Sequence, residues 1–548
     1  MLREYSAGNN SELLENDSCR IIYRNKEMSA PPETNGEAAR HAEMPLETLK
    51  KNIQALQASA LEQLEASLSR VTGQFLADVG RAGLPAHDSY HSHDSHDSPK
   101  YRNRVKGGGP ASEKHFAPRS SLLTDLFEVK HVRTIYNIFC AVLIAVLVHT
   151  AARELVATGT VNLEFELISW NFSKLDKGAC IWSAMTLASM AVYPGFRAWA
   201  GRRASLPPGS AAQKCWDHGW LVVFLLYVAL FVWLSVRFLL LWELRPALSF
   251  VVLTEQVRML MKMYAFVRGN APRALAFKPH ADPDASPCPP FSCYLYFLFA
   301  PTLVYRDSYP RTESTDWRKV ARHLLDMLGV VFYVWFIFKH CFVPTFGRFG
   351  RRPVSAETLL VWAFGAMVPA TVVFLCGFYC LLHCWLNAAA EALRFADRMF
   401  YKDWWNCTSY ADYFRTWNIV VHDWLHTYLY RDLRALLGAR GGALPTVGVF
   451  LVSALVHEYI LALTFRFLCP ALLLAFAGFG TGMVFMPRDV AGGGNLLVWL
   501  MMFSGNGIIV TAYCIEWYAR INCKRTLDTA WDYVVPRAWA CEPLSSAA

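Results

Sequence analysis

Charged residues are scarce in this 548-residue chain: they make up 18% of it, against about 25% in an ordinary soluble domain. The shortage is uneven, because long stretches carry almost no charge while 54% of all residues are hydrophobic. No basic stripe with interleaved aromatic residues lies outside the apolar runs, so the net charge of +9 does not indicate a nucleic-acid-binding protein. Positive loops beside an anionic membrane leaflet explain that charge better. The composition therefore predicts a multi-pass membrane protein.

Metal-ligand spacing and a signal peptide are also lacking. The fifteen cysteines form no pattern typical of a metal site, so none is expected. Cys376, Cys380 and Cys384 recur every four residues in an apolar run and are interpreted as small core residues. Because the first 40 residues are polar, we expect no N-terminal signal peptide. Insertion must then begin at an internal apolar run, with the N-terminus in the cytosol.

Apolar runs long enough to cross a ~30 Å hydrocarbon core follow one another along the chain. Clear runs cover about 133–155, 178–200, 218–242, 357–386, 443–468 and 496–519, and less clean ones cover about 247–267, 320–341 and 470–486. We therefore expect an all-α protein with about nine transmembrane helices and a luminal C-terminus. The basic loop 201–214 then faces the cytosol, as the positive-inside rule requires. The loop 347–352, with three arginines, disagrees because it falls on the luminal side.

Residues 1–120 precede the membrane domain, 121–548, and form a cytosolic N-terminal region. Apolar residues at spacings of three and four predict a helix over 45–79. Self-association is the favoured interpretation of this helix, and packing on the membrane or on the main body is the alternative. The histidine-rich stretch that contains His87, His91, His93 and His96 is interpreted as a flexible linker rather than a metal site.

His457 interrupts the apolar run between Phe450 and Phe465. A charged side chain inside a membrane helix costs roughly 2.5 kcal/mol or more. A neutral imidazole costs less and is a general base suited to neutral pH. In the polar, tryptophan-rich stretch that precedes this run, Asn418 can donate hydrogen bonds to an oxyanion and His422 can bind an anionic ligand. We therefore predict an intramembrane enzyme with His457 deep in its core; a purely structural histidine is the alternative.

Several motifs in this part of the chain resemble one protein family. The segment Phe400-Tyr-Lys-Asp-Trp-Trp-Asn406 matches an FYxDWWN signature, whose residues here are Phe400, Tyr401, Asp403, Trp404, Trp405 and Asn406. His422-Asp-Trp424, Val456-His-Glu-Tyr459, the stretch 294–310 and Glu516-Trp-Tyr-Ala-Arg520 continue the pattern. Together they resemble the sterol O-acyltransferase branch of the membrane-bound O-acyltransferases. The tryptophans taken alone are equally typical of membrane-interface anchors.

The resemblance implies an endoplasmic-reticulum enzyme that transfers a long-chain acyl group from acyl-CoA, its co-substrate, to the 3β-hydroxyl of cholesterol. It implies no metal or other cofactor, and it makes His457 the catalytic base. The residues that it places along the acyl-CoA site are Asp412, Arg415, Asn418, His422, Tyr430 and Ser453. Gly442 stands where the family has a lysine on the CoA path, and Arg440 is the candidate substitute.

Three further features follow from the same resemblance. His131 matches a residue associated with sterol binding, although a histidine at the start of a juxtamembrane helix is an equal alternative. Cys523 and Cys541 match a luminal disulfide. The N-terminal helix, about 45–80, matches a region associated with tetramer formation, so a homo-oligomer is expected, either a dimer or a tetramer.

Three other functions stay open at this point. A diacylglycerol or other lipid-alcohol acyltransferase would share the fold. A lipid or proton-coupled transporter would use His457 as a proton relay, and it predicts internal repeats that inspection does not find. In a sterol-sensing scaffold His457 would be dispensable.

Overall fold

The computed structural model describes residues 114–159, 166–278, 286–351, 354–438, 441–485, 494–525 and 527–544. All of them belong to the unit Ala111–Ala548. The predicted N-terminal helix, the histidine-rich linker and Arg440 lie outside the described residues. The described part is built from helices and isolated bridges without a strand, so the all-α prediction is confirmed.

Eighteen α-helices follow one another in the described ranges. They are α1 (Leu122–Leu126), α2 (Lys130–Thr158), α3 (Glu166–Asn171), α4 (Leu175–Ala204), α5 (Ala211–Leu241), α6 (Pro246–Ala276), α7 (Phe291–Phe299), α8 (Trp317–Ile337), α9 (Val343–Phe346), α10 (Ala356–Phe378), α11 (Leu386–Ala392), α12 (Tyr410–Thr416), α13 (Ile419–Trp424), α14 (Arg431–Leu437), α15 (Leu444–Phe465), α16 (Ala471–Leu473), α17 (Thr481–Val484) and α18 (Gly494–Asn522). Four π-helices join neighbouring α-helices: Phe338–Phe342, Tyr379–Trp385, Leu425–Tyr430 and Leu474–Gly480. Three short 3₁₀ turns are Trp404–Asn406, Ala530–Tyr533 and Arg537–Ala540.

Seven helices of the described ranges are long and apolar enough to cross a membrane. They are Lys130–Arg153, Glu166–Ala204, Ala211–Leu241, Trp317–Phe346, Ala356–Ala392, Leu444–Phe465 and Gly494–Asn522. The predicted run 247–267 is a long helix, α6, but it carries Glu255, Arg258 and Lys262. The run 470–486 forms the shorter apolar helix Ala471–Val484, with a π-helix at its centre. The multi-pass architecture is confirmed, whereas the count of nine crossings is not.

Close helix packing surrounds the part of the chain that carries the predicted site. α4 packs between α5 and α6, α15 packs on α6, and α18 lies along α10. At the α10–α18 contact, a Cβ on Gly507 would lie 2.7 Å from the Ala363 carbonyl oxygen. Only glycine permits that approach, because a methyl group there would overlap the neighbouring backbone.

A buried lysine fixes the end of α7. The Lys262 Nζ atom donates to the carbonyl oxygens of Phe297, at 2.5 Å, and Ala300, at 2.6 Å, while Arg258 donates to Leu298 at 2.8 Å. The last carbonyls of a helix lack partners within it and attract cations. These two side chains of α6 therefore cap α7 and hold the start of the irregular segment 300–310.

The C-terminal segment is bound to the far end of α18. Cys523 and Cys541 form a disulfide with a Cα–Cα distance of 5.3 Å, as the resemblance implied. The Asn522 Nδ2 atom donates to the carbonyl oxygens of Gly347, at 3.1 Å, and Phe349, at 2.6 Å. A Cβ on Gly350 would lie 2.6 Å from the Cys523 sulfur. The arginine-containing loop therefore lies on the same side of the protein as the disulfide.

The α7 cap gives a prediction about stability. We expect Lys262→Met to lower the free energy of unfolding by about 2–6 kcal/mol, because two buried carbonyls lose their donor at about 1–3 kcal/mol each. The melting temperature of the detergent-solubilised protein measures this effect. Lys319→Met is the control, since its ion pair with Asp316 is solvent-exposed. Equal melting temperatures for both variants would contradict the capping role.

Candidate active site

The FYxDWWN signature forms a buried aromatic core. Phe400, Tyr401 and Trp404 are at most 2% exposed, whereas Asp403 and Asn406 are exposed. The Trp404 ring lies 4.6 Å from that of Trp417, and it also contacts Phe378, Trp405, Tyr413 and Trp499. Trp404 is therefore not a membrane-interface anchor. The signature packs the polar segment, residues 394–437, against α10 and α18.

Hydrogen bonds attach the polar segment to both ends of the membrane domain. The Asn495 Nδ2 atom on α18 donates to the carbonyl oxygens of Trp405 and Cys407, at 2.9 Å each. Arg119, just before α1, donates two hydrogen bonds to the buried Asp397 carboxylate, at 2.6 and 3.0 Å. The polar segment is thus a fixed part of the membrane body rather than a free loop.

A buried histidine, His383, touches the signature. The His383 Nδ1 atom lies 2.6 Å from the Tyr401 hydroxyl oxygen, within the π-helix Tyr379–Trp385. Asn387 bonds to the His383 carbonyl at 2.8 Å and to the Ser121 hydroxyl at 3.0 Å. Sequence reasoning missed His383, although the argument applied to His457, an ionisable residue inside an apolar run, would have found it.

Asn418 occupies the N-cap of α13. Its side-chain oxygen accepts a hydrogen bond from the Val421 backbone N–H at 3.1 Å, which leaves the Nδ2 group as a donor. The chain leaves helical geometry at Asn418 (φ −139°, ψ 88°), so α12, which carries Arg415, and α13 are separate helices. Asn418 therefore begins a new helix and has a structural duty besides any chemical one.

The predicted acyl-CoA residues lie on several elements of the fold. Asp412 pairs with Arg415 at 2.5 Å on α12. His422 and Tyr430 lie on one continuous stretch of helix, α13 with its π-helix extension Leu425–Tyr430. Gly442 is exposed with a φ of +52°, a left-handed conformation that glycine adopts without strain.

His422 belongs to a row of three rings that the sequence did not reveal. His422, His426 and Tyr430 are four residues apart, and their ring planes are nearly parallel, at 9° and 15° to the next ring. Next to His422, the Asp423 carboxylate binds Lys114. Burial acts to raise the pKa of Asp423, but His422 and Lys114 outweigh it and hold that pKa below its usual range.

The His457 imidazole has a defined hydrogen-bond pattern. Its Nδ1 atom lies 2.7 Å from the Ser453 carbonyl oxygen. A carbonyl only accepts, so Nδ1 carries the proton, and the Nε2 atom of a neutral ring keeps its lone pair. The structure thus places Ser453 at the site through its backbone, and it leaves Nε2 as the basic nitrogen of His457.

His457 is not buried in the protein core, contrary to prediction. The residue is exposed on the protein's own surface, and its ring packs beside Phe476 with a centroid distance of 5.4 Å. At 1.5 Å per residue, α15 is about 33 Å long and His457 lies about 4 Å from its midpoint. The depth of His457 therefore comes from its height along a membrane-length helix, not from burial by neighbouring side chains.

An aromatic group links His457 to the polar segment. The Phe414 ring contacts Phe450 at 4.8 Å and Phe476 at 5.2 Å, and Phe476 in turn contacts His457. The described hydrogen bonds of Asn418 and His457 go to Val421 and Ser453, respectively. His457 thus contacts this aromatic group, and no described hydrogen bond joins it to Asn418.

The remaining candidates lie apart from this group. His131 is exposed at the second residue of α2. The basic residues of the polar segment are partly used by the fold, since Arg398 pairs with the buried Glu391 at 2.7 Å. Three potential metal ligands, His323, Asp326 and Cys384, lie within 4.8 Å of one another. Asp326, however, already accepts hydrogen bonds from the Tyr136 and Tyr379 hydroxyls.

A cavity of about 360 Å³ opens between α4, α5 and α6, and it contains none of the predicted site residues. Its lining is Ala191, Val192, Gly195, Phe196, Trp199, Asp217, Trp220, Leu221, Val223, Phe224, Tyr227, Val267, Ala271 and Leu275. Asp217 is its one acidic residue and is bound by Trp199 at 3.0 Å and Arg203 at 3.1 Å.

Comparison with known proteins identifies the family. Residues 214–515 match the membrane-bound O-acyltransferase (MBOAT) family. The chain belongs to this family. The match runs from α5 through most of α18, so it includes the FYxDWWN core, the ring row and His457. The chain is accordingly a multi-pass membrane acyltransferase, as predicted.

Similar proteins indicate which branch of the MBOAT family this chain resembles. Sterol O-acyltransferase 2 of Mus musculus is 39% identical over 511 residues, 93% of this chain and 95% of that protein. Sterol O-acyltransferase 2 of Homo sapiens is 39% identical over 521 residues, 94% of this chain and 96% of that protein. Sterol O-acyltransferase 1 of Mus musculus is 43% identical over 438 residues, 79% of this chain and 80% of that protein.

Proposed function

We propose that this MBOAT protein is a sterol O-acyltransferase that transfers a long-chain acyl group from acyl-CoA to the 3β-hydroxyl of cholesterol. Relatives of that name, aligned over 79% or more of this chain, support the proposal. The structural observation that carries it is the His457 imidazole, whose bonded Nδ1 leaves a basic Nε2 near the middle of a membrane-length helix. A lipid alcohol can reach that depth, whereas bulk water does not enter the bilayer core.

His457 acts as the general base in this proposal. The secondary hydroxyl of a sterol is a poor nucleophile, so its proton must be removed as the oxygen attacks the thioester carbonyl. The His457 Nε2 atom accepts this proton, while the Ser453 carbonyl keeps Nδ1 protonated and stabilises the imidazolium that forms. A base-holding carbonyl of this kind has the orienting role that the third member of a catalytic triad has.

Asn418 stabilises the tetrahedral intermediate. Because its side-chain oxygen is held by the Val421 N–H, its Nδ2 group is oriented and can donate to the oxyanion. The intermediate then collapses, the carbon–sulfur bond breaks, and the CoA thiolate takes the proton from His457. The products are a cholesteryl ester and free CoA thiol. These steps are proton transfer and acyl substitution, so we propose that the reaction uses no metal or redox cofactor.

The two substrates reach the site by different routes. Cholesterol enters laterally from the bilayer, since its ring system is apolar. The CoA moiety is too highly charged for hydrocarbon and approaches from the cytosol along the polar segment, past Arg415, His422 and Tyr430. We propose that Gly442, without a side chain, supplies no phosphate contact, and that His131 contributes to sterol binding.

Replacing the base tests the reaction. We expect His457→Ala to lower cholesterol esterification by about 10²–10⁴-fold, the usual loss for a general base. Microsomes supplied with labelled oleoyl-CoA and either cholesterol, diacylglycerol or no acceptor provide the measurement. His218→Ala is a matched control, since that Nδ1 lies 2.7 Å from the Lys214 carbonyl in the same i−4 geometry. Wild-type rates in His457→Ala would remove the base, and preference for diacylglycerol would overturn the sterol assignment.

The two duties of Asn418 can be separated by substitution. Aspartate is an equally good N-cap residue but has no N–H group. We expect Asn418→Asp to keep the melting temperature and to lower kcat by on the order of 10²–10³-fold. Asn418→Ala should lower both, with about 1 kcal/mol lost from stability. Full activity in Asn418→Asp would leave Asn418 with the capping role alone.

We also propose an endoplasmic-reticulum location with a cytosolic N-terminus and a luminal C-terminus. Seven or nine crossings both place the termini on opposite sides, and a disulfide needs an oxidising compartment. After free thiols are blocked, an impermeant reductant followed by an impermeant maleimide should label Cys523 and Cys541 only in permeabilised microsomes. In a parallel sample without blocking, the exposed Cys215 of the cytosolic loop end should react in intact ones. Labelling of Cys523 in intact microsomes would invert the topology.

Self-association through the N-terminal helix, residues 45–80, completes the proposal. The mass of the particle in detergent, before and after deletion of these residues, distinguishes a monomer, a dimer and a tetramer. An unchanged mass after the deletion would count against this helix as the assembly element.

A further inference from the structure

The row of rings on the polar segment has a geometry suited to binding a ligand along its length. The ring centroids of His422 and His426 are 6.2 Å apart, and those of His426 and Tyr430 are 5.5 Å apart. Residues 425–430 form a π-helix, whose wider turn brings residues four apart nearly into line. All three rings are half-buried, so each has one accessible side. The result is a strip of imidazole and phenol groups with His426 at its centre.

The charges around this strip favour an anion. The three carboxylates of residues 410–437 are each paired with a cation: Asp412 with Arg415, Asp423 with Lys114, and Asp432 with Arg268 at 2.9 Å. Meanwhile the Arg434 guanidinium donates to the uncharged Tyr430 hydroxyl at 3.2 Å. With the acidic groups neutralised, the arginines of α14 leave the strip in a positive field.

His426 is the ring whose protonation responds to such an anion. Burial is the main cause that lowers the pKa of His426 below its usual value, and the charges of His422 and Arg431 lower it further, against Asp423. Of the helices packed against this turn, α6 brings Tyr264 and Arg268 towards it, and α15 carries His457, Glu458 and Tyr459. At neutral pH His426 is therefore mostly neutral, and a bound anion would favour its charged form.

We propose that protonated His426 binds a phosphate group of acyl-CoA and so makes binding of this co-substrate stronger at lower pH. The inference rests on the proposed function for the presence of acyl-CoA at this segment. His422 and Tyr430 flank the phosphate contact, and Arg434 reaches it from the next turn. Gly442 supplies no cation in this chain, whereas His426 supplies one when it is protonated.

The sign of the pH effect follows from linkage. A ligand that raises the proton affinity of His426 takes up a proton on binding, so its dissociation constant falls as the pH falls towards and below 6.5. A charge-assisted hydrogen bond to phosphate accounts for about tenfold in affinity. The dissociation constant of acyl-CoA should therefore fall between pH 8 and pH 6, by up to about tenfold. An analogue without phosphates, S-oleoyl-pantetheine, should show no such change.

Equilibrium binding tests this proposal apart from turnover. Purified full-length protein carrying His457→Ala is titrated with labelled oleoyl-CoA from pH 6 to pH 8. Adding His426→Phe should make affinity nearly independent of pH and about tenfold weaker at pH 6. Adding His426→Lys should give the low-pH affinity at pH 8, and His218→Phe serves as the control. His422 is present in every protein compared, so the difference between the profiles belongs to His426.

The outcomes separate the two proposals. A pH dependence that survives in both His426→Phe and His426→Lys would overturn the role of His426, as would an equal pH dependence for S-oleoyl-pantetheine. The sterol assignment is judged independently by the acceptor assay on protein with His457 intact. Transfer to diacylglycerol would reject the sterol assignment and leave the His426 result standing. Absence of any acyl-CoA binding to the folded His457→Ala protein would overturn the role of His426 and leave the sterol assignment to the acceptor assay.

Discussion

A polar group inside a membrane domain must find its partner within the protein, because hydrocarbon offers none. The structure meets this constraint at several buried polar residues of the central helices. Lys262 binds the end of α7, and the Gln256 side chain joins Ser235 on α5 to Tyr459 on α15. Glu458 accepts from the Tyr513 hydroxyl at 3.2 Å. The His457 Nε2 atom differs from these groups because it has no described hydrogen bond, whereas the carboxylate of the neighbouring Glu458 accepts one.

The same constraint explains what could be predicted from the sequence. Apolar runs of membrane length predicted helices correctly, since only a helix satisfies its backbone there without neighbours. The N-cap role of Asn418 was also within reach, because asparagine before an apolar helical run is a typical start signal. The contact of His383 with Tyr401 could not be predicted, because it depends on how two separate segments pack. No residue pattern predicts a π-helix either. The row of His422, His426 and Tyr430 was therefore found only in the structure.

Three of the four π-helices lie at the candidate site: one holds His383, one holds His426 and Tyr430, and one presents Phe476 to His457. A π-helix has poorer hydrogen-bond geometry than an α-helix and persists where surrounding packing requires it. Here His383 contacts Tyr401 and Phe476 contacts Phe414, so two of these π-helices pack on the polar segment, and the third, Leu425–Tyr430, belongs to it. The FYxDWWN core supplies the required packing, since Trp404 joins this segment to α10 and α18. The aromatic signature thus supports the candidate site through packing, and the proposed chemistry belongs to other side chains.

For the arginine-containing loop, the positive-inside rule and the disulfide predict opposite sides of the membrane. Asn522 binds the Gly347 and Phe349 carbonyls beside the Cys523–Cys541 disulfide, so loop and disulfide share one side of the membrane. The positive-inside rule would put this side in the cytosol, whereas a structural disulfide requires an oxidising lumen. The rule acts mainly through the first spans, before later loops exist to compete. In the proposed orientation this loop is luminal, and it is made after the first spans. Its arginines then serve the fold: Arg351 donates to the Asn522 side chain at 3.2 Å, and so helps to hold the C-terminal segment in place.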